Sequence, residues 1–223
     1  MTKVVEALNK TGTVLRYLVT NPEIVRRMLS HLYKGFFVES GWINAFLEGR
    51  PVDRENNPLP WFTYPAIDFL DERLNLDMSV FEYGGGNSTL YFASRVKKVT
   101  TVEHHAEWFR HLKTSAPDNA EIIFCELEYG GKYQKMAPTR QERFDVVVVD
   151  GRDRVNCAHA AIEALSERGV IVFDDFERER YQAAADNLAE NGFRQLNFWG
   201  FKPGFFERKN TAVFYRTKNV FRL

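Results

Sequence analysis

Short apolar runs alternate with helical segments from Met78 onward, and this alternation limits the possible folds more than any other feature. Five runs have the composition of buried strands: MSVFEY, KVTTVEH, AEIIFCEL, FDVVVVD and GVIVFDD. The segments between them have helical spacing: STLYFASRV, AEWFRHLKT, AHAAIEALSE and RERYQAAADNLAEN. Gly169 and Gly192 stand where two of these helices are predicted to end. The pattern predicts an α/β fold in which helices wrap a parallel sheet.

The C-terminal segment departs from this alternation. FRQLNFWGF and NTAVFYRT are two strand-like runs with no helix between them, joined by KPGFFERK. Strands connected without a crossover helix pair in antiparallel fashion. We therefore predict a hairpin at one edge of the sheet.

The first 65 residues differ from the rest because their pattern is helical and irregular, with no predicted strand. Asn21 and Pro22 are predicted to start a helix, and Thr63 is predicted to cap another. The stretch GRPVDRENNPLPWFTYPA, which contains Thr63, holds four of the eight prolines and indicates an ordered loop or lid. We predict a helical appendage with a lid loop over residues 1–65 and the main domain over 66–223.

Composition disfavours several classes of protein. Thirty basic and thirty acidic side chains give zero formal net charge, so no global positive field favours nucleic acid. The start MTKVVEALNK lacks the apolar core of a signal peptide, and no run reaches the roughly 20 apolar residues of a membrane span. A cytoplasmic protein without a membrane span is expected. Cys125 and Cys157 fit no metal-binding spacing and are assigned no function.

The stretch FEYGGGNST, residues 81–89, follows the first predicted strand of the sheet. Ligands of such sheets bind at the carboxyl ends of the strands, where glycines let the backbone approach closely. No lysine follows the glycines, which excludes a phosphate-binding P-loop. The dinucleotide fingerprint is also incomplete, because Thr89 stands where it needs a third small residue.

Two acids flank this glycine loop. Glu82 precedes it and would repel a pyrophosphate but attract a cationic ligand. Glu103 closes the next strand, nineteen positions after Gly84, where an acid can accept both hydroxyls of a ribose. The pair favours an adenosyl ligand without phosphates, such as S-adenosylmethionine with its ammonium and sulfonium. The alternative is a tight strand-to-helix turn with two exposed acids.

From Ala66 to its end the chain resembles the class I S-adenosylmethionine-dependent methyltransferases, through FEYGGGNST, VTTVEH, FDVVVVDG, GVIVFDD and the terminal hairpin. The resemblance implies a Rossmann-like, seven-stranded, mostly parallel sheet whose last strand is antiparallel. It implies that Glu82 and the three glycines line the methionine end of the cofactor and that Glu103 holds the ribose. It leaves the adenine contact open between Glu126 and Glu128. The whole predicted cofactor-binding set is Glu82, Gly84, Gly85, Gly86, Asn87, Ser88, Glu103, His104 and Asp150.

Three other functions remain open at this point. Spermidine-synthase-like aminopropyltransferases share a triple-glycine loop and an acidic strand end, but their loop usually continues Asp-Gly where this chain has Asn87-Ser88. Their fourth strand usually ends in Asp-Ser-Ser-Asp, where this chain has Asp-Gly-Arg-Asp at residues 150–153. A nucleotide-cofactor oxidoreductase and a non-catalytic adenosyl-binding module are the other two.

Acids that follow the fourth and fifth strands are the candidate catalytic groups. Asp150 and Asp175 are predicted as general bases for methyl transfer to an acceptor oxygen. Asp150, Asp174 and Asp175 also resemble the magnesium ligands of catechol-type O-methyltransferases, although that family has Asp-Asn where this chain has Asp-Asp. A Mg²⁺ site and a set of acids that cap helices and orient loops are equally favoured.

The acceptor is expected to be a small or sugar-like molecule. Arg152 and Arg154 can form a fork for a carboxylate or phosphate on it, or can neutralise neighbouring acids. Tyr64 is the third residue predicted to bind the acceptor, and it ends the aromatic segment PWFTY, which is predicted either to cover the cofactor and exclude water or to pack on the core. A homo-oligomer formed through the N-terminal helices is a further expectation.

Overall fold

One seven-stranded mixed sheet organises the chain in a computed structural model that describes Gly12, Arg16 and residues 19–223. Its strands are β1 (Ser79–Tyr83), β2 (Lys98–Glu103), β3 (Ala120–Phe124), β4 (Phe144–Val149), β5 (Leu165–Phe173), β6 (Arg194–Gly200) and β7 (Lys209–Tyr215). Their order is β3-β2-β1-β4-β5-β7-β6. β1 to β5 are parallel, and β7 pairs antiparallel with both β5 and β6. The predicted sheet and its C-terminal hairpin are confirmed.

Eight α-helices whose bounds lie within residues 21–223 accompany the sheet. They are α1 (Pro22–Ser30), α2 (Phe36–Glu39), α3 (Trp42–Glu48), α4 (Tyr64–Asp71), α5 (Asn87–Ala93), α6 (Ala106–Ser115), α7 (Arg154–Ala164) and α8 (Gln182–Glu190). Asn21 and Thr63 take the predicted cap positions of α1 and α4, but neither side chain caps its helix. The Thr63 hydroxyl instead donates to the carbonyl of Phe198 at 2.9 Å, which ties α4 to the hairpin.

Of the two glycines predicted to end helices, one does so and the other does not. Gly192 follows α8 with φ of +79°, a conformation that favours glycine. The prediction for Gly169 is wrong, because this residue lies within β5. A Cβ there would come within 2.8 Å of the Phe144 carbonyl oxygen, so glycine permits the close approach of β5 to β4.

Both faces of the sheet are buried, as the continuous apolar runs predict. In β4, Val147 and Val149 belong to the core cluster on one face, while Val146 and Val148 belong to the cluster on the other. The first cluster includes residues of α7 and α8, and the second includes residues of α4 and α5. The strand ends are therefore fixed by packing on two sides, which gives any site at their carboxyl edge a rigid base.

The N-terminal segment packs against the hairpin loop. Trp42 donates its indole N–H to the Phe205 carbonyl at 2.9 Å, and its ring centroid lies 4.4 Å from that of Phe206. The following loop reaches the glycine loop, where the Asn87 amide donates to the Pro51 carbonyl at 2.7 Å. Within the residues described, no helix has both the length and the apolar character needed to cross a membrane.

Candidate functional site

A cavity of about 510 Å³ opens at the carboxyl ends of the parallel strands. β1 lies between β2 and β4, so the strand order reverses beside it, which is where open α/β sheets bind ligands. Twelve of the residues that the sequence analysis singled out line this cavity. They are Gly84, Gly85, Gly86, Asn87, Ser88, Glu103, His104, Asp150, Arg152, Arg154, Asp174 and Asp175.

The glycine loop packs directly on neighbouring backbone. Gly84 has φ of +87°, and a Cβ on it would lie 2.5 Å from the Gly151 Cα. A Cβ on Gly85 would lie 2.5 Å from the Leu112 side chain. At Gly86 the nearest atom to a Cβ would be 3.8 Å away, on Trp108. Gly84 is therefore required by the fold, a side chain at Gly85 would displace neighbouring side chains, and Gly86 leaves open space at the cavity wall.

Glu103 is held under this loop by backbone N–H groups. Its Oε1 accepts from His104 and His105, both at 2.7 Å, and its Oε2 accepts from Gly85 at 3.1 Å. The residue is 3% exposed and lines the cavity. Because a carboxylate has about four acceptor positions, Oε2 keeps one for a ligand. The geometry offers a ligand one direct hydrogen bond here, where the sequence predicted two.

Trp108 is a cavity residue that the sequence analysis missed. Its indole N–H donates to the Gly85 carbonyl at 2.7 Å, and the side chain is exposed at the wall. It lies in the first turn of α6, five residues after Glu103. A tryptophan only five residues after the acid predicted to bind the ribose was the signal available in the sequence.

Glu82 does not face the cavity, and the structure corrects the prediction that it contacts a ligand. It is fully buried, and its Oε2 accepts from the hydroxyls of Thr89 at 2.5 Å and Thr101 at 2.9 Å. Its Oε1 has no hydrogen-bond partner among the described residues. Burial raises the pKa of Glu82 to about 7. The side chain therefore positions α5 against β2 from behind the loop.

This buried acid makes stability depend on pH. The unfolded chain releases the Glu82 proton near pH 4.5, whereas the folded chain keeps it until about pH 7. Stability should therefore fall as pH rises through this window, by about 3 kcal/mol. Urea unfolding at pH 4.5 and 8 should show this loss in the wild type and a gain of Glu82→Gln relative to it at pH 8. Glu190→Gln, at an exposed position, is the control; a stability difference between wild type and Glu82→Gln that is the same at both pH values would contradict the account.

Three aspartates lie close together beyond β4 and β5, as the magnesium interpretation requires, but they pair with cations of the chain itself. The Lys202 ammonium lies 2.5 Å from Asp174 Oδ2 and 2.6 Å from Asp175 Oδ1. Arg154 pairs with Asp150 Oδ1 at 2.9 Å. Among the described residues, no group of three or more His, Cys, Asp or Glu side chains is arranged to hold a metal ion. The magnesium interpretation is not supported, because an ammonium lies where the ion would bind.

The charges of this cluster shift the pKa values of the two candidate bases, Asp150 and Asp175, in opposite directions. Burial and the nearby Asp174 raise the pKa of Asp150 well above its usual value. Burial alone would also raise the pKa of Asp175, but Lys202 and Arg154 outweigh it and lower that pKa. Lys202 itself was missed, since nothing in KPGFFERK indicates that its lysine is buried against two acids.

The three residues predicted to bind the acceptor differ in burial and in their partners. Arg154 is 10% exposed and donates to the carbonyls of Asp150 and Gly151 at 2.9 and 3.0 Å, so it neutralises and braces the cluster. The exposed Arg152 side chain makes no hydrogen bond or ion pair with another described residue and lines the cavity. The prediction for Tyr64 is corrected: it is 4% exposed and packs edge-to-face on Phe36.

The rest of the aromatic segment and the two candidate adenine contacts also have definite places. Trp61 lines the cavity, whereas Phe62 is fully buried in the core. Glu126 and Glu128 are exposed and lie outside the cavity lining. The aromatic segment PWFTY therefore combines the two predicted roles, since it contributes one side chain to the cavity and others to the core.

Comparison with known proteins agrees with the fold. Residues 81–176 match the family model of a methyltransferase domain. A precorrin-6y C5,15-methyltransferase from Geobacter metallireducens superposes with a TM-score of 0.52 at 15% identity, over 68% of this chain and 87% of that one. An rRNA methylase from Streptococcus thermophilus gives 0.51 at 16%, over 68% and 95%. A methyltransferase from Pyrococcus furiosus gives 0.51 at 17%, over 86% and 98%. The search of curated proteins found no match.

The chain therefore shares the fold of these methyltransferases. The matched model covers β1 to the end of β5, the part that carries the glycine loop, Glu103 and the aspartate cluster. The predicted Rossmann-like sheet is thereby confirmed, and residues 81–176 are similar to a methyltransferase domain, in agreement with the family resemblance of the sequence. At sequence identities of 15–17%, the solved structures show only that the fold is shared.

Proposed function

We propose that this protein binds S-adenosylmethionine in the cavity at the strand ends and methylates an oxygen atom of a small-molecule acceptor. The observation that carries the proposal is Glu103, which three backbone N–H groups hold at the cavity wall directly beside the glycine loop. Its remaining acceptor position suits a ribose hydroxyl. The cavity volume is in the range of about 300–1,000 Å³ that small-ligand sites occupy.

The residues present fit an adenosyl cofactor. Glu103 would hold the ribose, the open side of Gly86 would face the cofactor, and the exposed Trp108 ring offers an aromatic surface next to both. When bound, S-adenosylmethionine supplies an electrophilic methyl group whose bond to sulfur breaks with the electron pair left on sulfur, as the acceptor oxygen bonds to the methyl carbon. The acceptor's proton must then pass to a base of the protein.

Asp150 is the better of the two predicted bases. Its Oδ1 is paired with Arg154, but its Oδ2 makes no hydrogen bond to any other described residue, and the side chain lines the cavity. Burial and the nearby Asp174 raise its pKa, which makes it a stronger base than an ordinary aspartate. Asp175 is unsuited to this role, since both of its oxygens are paired with cations and its pKa is lowered.

The acceptor side of the cavity favours a small polar molecule. Its lining includes Trp61 and the unpaired Arg152, together with Arg178 and Lys209, which are ion-paired to Asp175 and Glu177. An aromatic face and an available guanidinium suit a ring or sugar that carries an anionic group. The zero net charge of the chain gives no general attraction to a polyanion.

Transfer of a labelled methyl group to a panel of phenolic, sugar and hydroxy-acid acceptors tests the proposal. We expect incorporation with at least one hydroxylated acceptor and a fall in kcat of about 100-fold or more in Asp150→Asn, in line with the loss of a general base. Asp118→Asn removes the same charge from an exposed position and should leave kcat unchanged. Transfer only to nitrogen or carbon, or full activity of Asp150→Asn, would contradict the assignment. A parallel reaction with decarboxylated S-adenosylmethionine that transfers its aminopropyl group to an amine would instead support the alternative transferase.

A further inference from the structure

The aspartate cluster and its cations balance in charge within the chain. Asp150, Asp174 and Asp175 are matched by Arg154, Lys202 and Arg178, each within 4.0 Å of at least one of the acids. The remaining oxygen of Asp174, Oδ1, accepts from the Thr211 hydroxyl at 2.9 Å. A divalent ion entering this arrangement would meet three positive charges instead of three free carboxylates.

Lys202 occupies the centre of the arrangement. Two oxygens from different aspartates lie 2.5 and 2.6 Å from its Nζ, so they face a single point, as oxygen ligands face a bound cation. Lys202 is 5% exposed and reaches this point from the loop between β6 and β7. An ammonium has three N–H donors, and the third makes no hydrogen bond to any described residue, although Lys202 lines the cavity.

We propose that the Lys202 ammonium is the resident cation of this site, in the place that a divalent metal ion would otherwise take. Its third N–H group then contacts the acceptor oxygen and stabilises the negative charge that develops there as the proton leaves. The reaction consequently needs no metal. This role of Lys202 toward the acceptor rests on the proposed methyl transfer, whereas its occupation of the cation position does not.

Removal of the lysine should expose the cation position. Titration with Mn²⁺, followed by the electron paramagnetic resonance signal of the free ion, should detect no bound Mn²⁺ in the wild type and one equivalent in Lys202→Ala. Lys202→Ala combined with Asp174→Asn should lose it again. Lys218→Ala removes an exposed lysine that pairs with no described residue and should behave as the wild type. If Lys202→Ala does not fold, Lys202→Gln is titrated in its place.

Two results would overturn the occupation of this position by Lys202. One is a wild-type protein that binds one Mn²⁺ and loses it in Asp174→Asn. The other is a folded Lys202→Ala that binds none. Binding of S-adenosylhomocysteine, measured on the same samples, keeps the proposals separate: without it the methyltransferase assignment fails, while the Mn²⁺ result still decides the role of Lys202.

The contact with the acceptor has its own test in the labelled-transfer assay. Wild-type turnover should be the same in excess chelator, and Lys202→Met should lower kcat by about 100-fold or more, as expected when a group that stabilises developing charge is removed. The dissociation constant for S-adenosylhomocysteine should stay within threefold of wild type. Added methylammonium should restore part of the activity of Lys202→Ala. Turnover that is lost in chelator, or a kcat unchanged in Lys202→Met, would overturn the contact.

Discussion

Gly84→Ala is expected to lose both stability and cofactor binding, because a single methyl group at this position meets the backbone of Gly151, just after β4. The added Cβ would lie 2.5 Å from the Gly151 Cα and 2.8 Å from its N, and φ at Gly84 is +87°. Neither neighbouring atom belongs to a flexible side chain, so β1 and β4 must separate at their carboxyl ends. Overpacking and left-handed strain each cost about 1–3 kcal/mol.

Two variants separate these causes. Gly130→Ala has a similar φ of +71° with nothing within 4 Å of the added Cβ, so it should show the conformational cost alone and bind S-adenosylhomocysteine normally. Gly86→Ala has room for its Cβ and an extended φ, so it should fold like the wild type and bind the ligand more weakly. Thermal unfolding and calorimetry measure both effects. Equal stability losses in Gly84→Ala and Gly130→Ala would contradict the packing argument.

Glu103→Ala is the second variant with a large expected effect, on affinity more than on folding. The substitution removes the acceptor of three backbone N–H groups and the one free acceptor position, which we propose binds the ribose. A hydrogen bond to a charged group contributes about 1.5–3 kcal/mol, so the dissociation constant of S-adenosylhomocysteine should rise about 10- to 100-fold.

The size of this change distinguishes direct contact from general damage. Glu190→Ala removes an exposed acid from the end of α8 and should leave affinity unchanged. Glu103→Gln retains an acceptor oxygen without the charge and should fall between Glu103→Ala and wild type. Calorimetry that gives wild-type affinity for a folded Glu103→Ala would show that the carboxylate does not contact the ligand.

Much of the fold was predictable because the sheet is buried on both faces. Runs such as VVVV at residues 146–149 and the alternation with helical segments specify parallel strands with little ambiguity. The start of β5 was not predictable: the helical spacing of AHAAIEALSE continues past the point where the chain turns into a strand at Leu165. Packing of β5 on β4 decides that boundary. The division of the chain at residue 65 stays a prediction.

The positions of site residues were predictable where the residue lies at a strand end. They were less predictable where burial and tertiary contacts determine the direction of the side chain. Glu103 ends β2 and Asp150 follows β4, the two strands on either side of β1, so the strand assignment alone brings them to one cavity. Glu82 immediately precedes that edge, yet its side chain turns into the core toward Thr89 and Thr101. Lys202 comes from a distant hairpin loop, and its pairing with Asp174 depends on tertiary structure that no local pattern encodes.

Binding of an adenosyl cofactor is the central claim, and calorimetric titration of the wild-type protein tests it most directly. S-adenosylhomocysteine and NAD⁺ are titrated separately into the same preparation. Glu103 keeps an acceptor position that suits a ribose hydroxyl, and the glycine loop beside it lacks the dinucleotide pattern. We predict one equivalent of S-adenosylhomocysteine bound with micromolar affinity and NAD⁺ bound about 100-fold more weakly or not at all. Tighter binding of NAD⁺, or no heat with S-adenosylhomocysteine in a folded protein, would contradict the account.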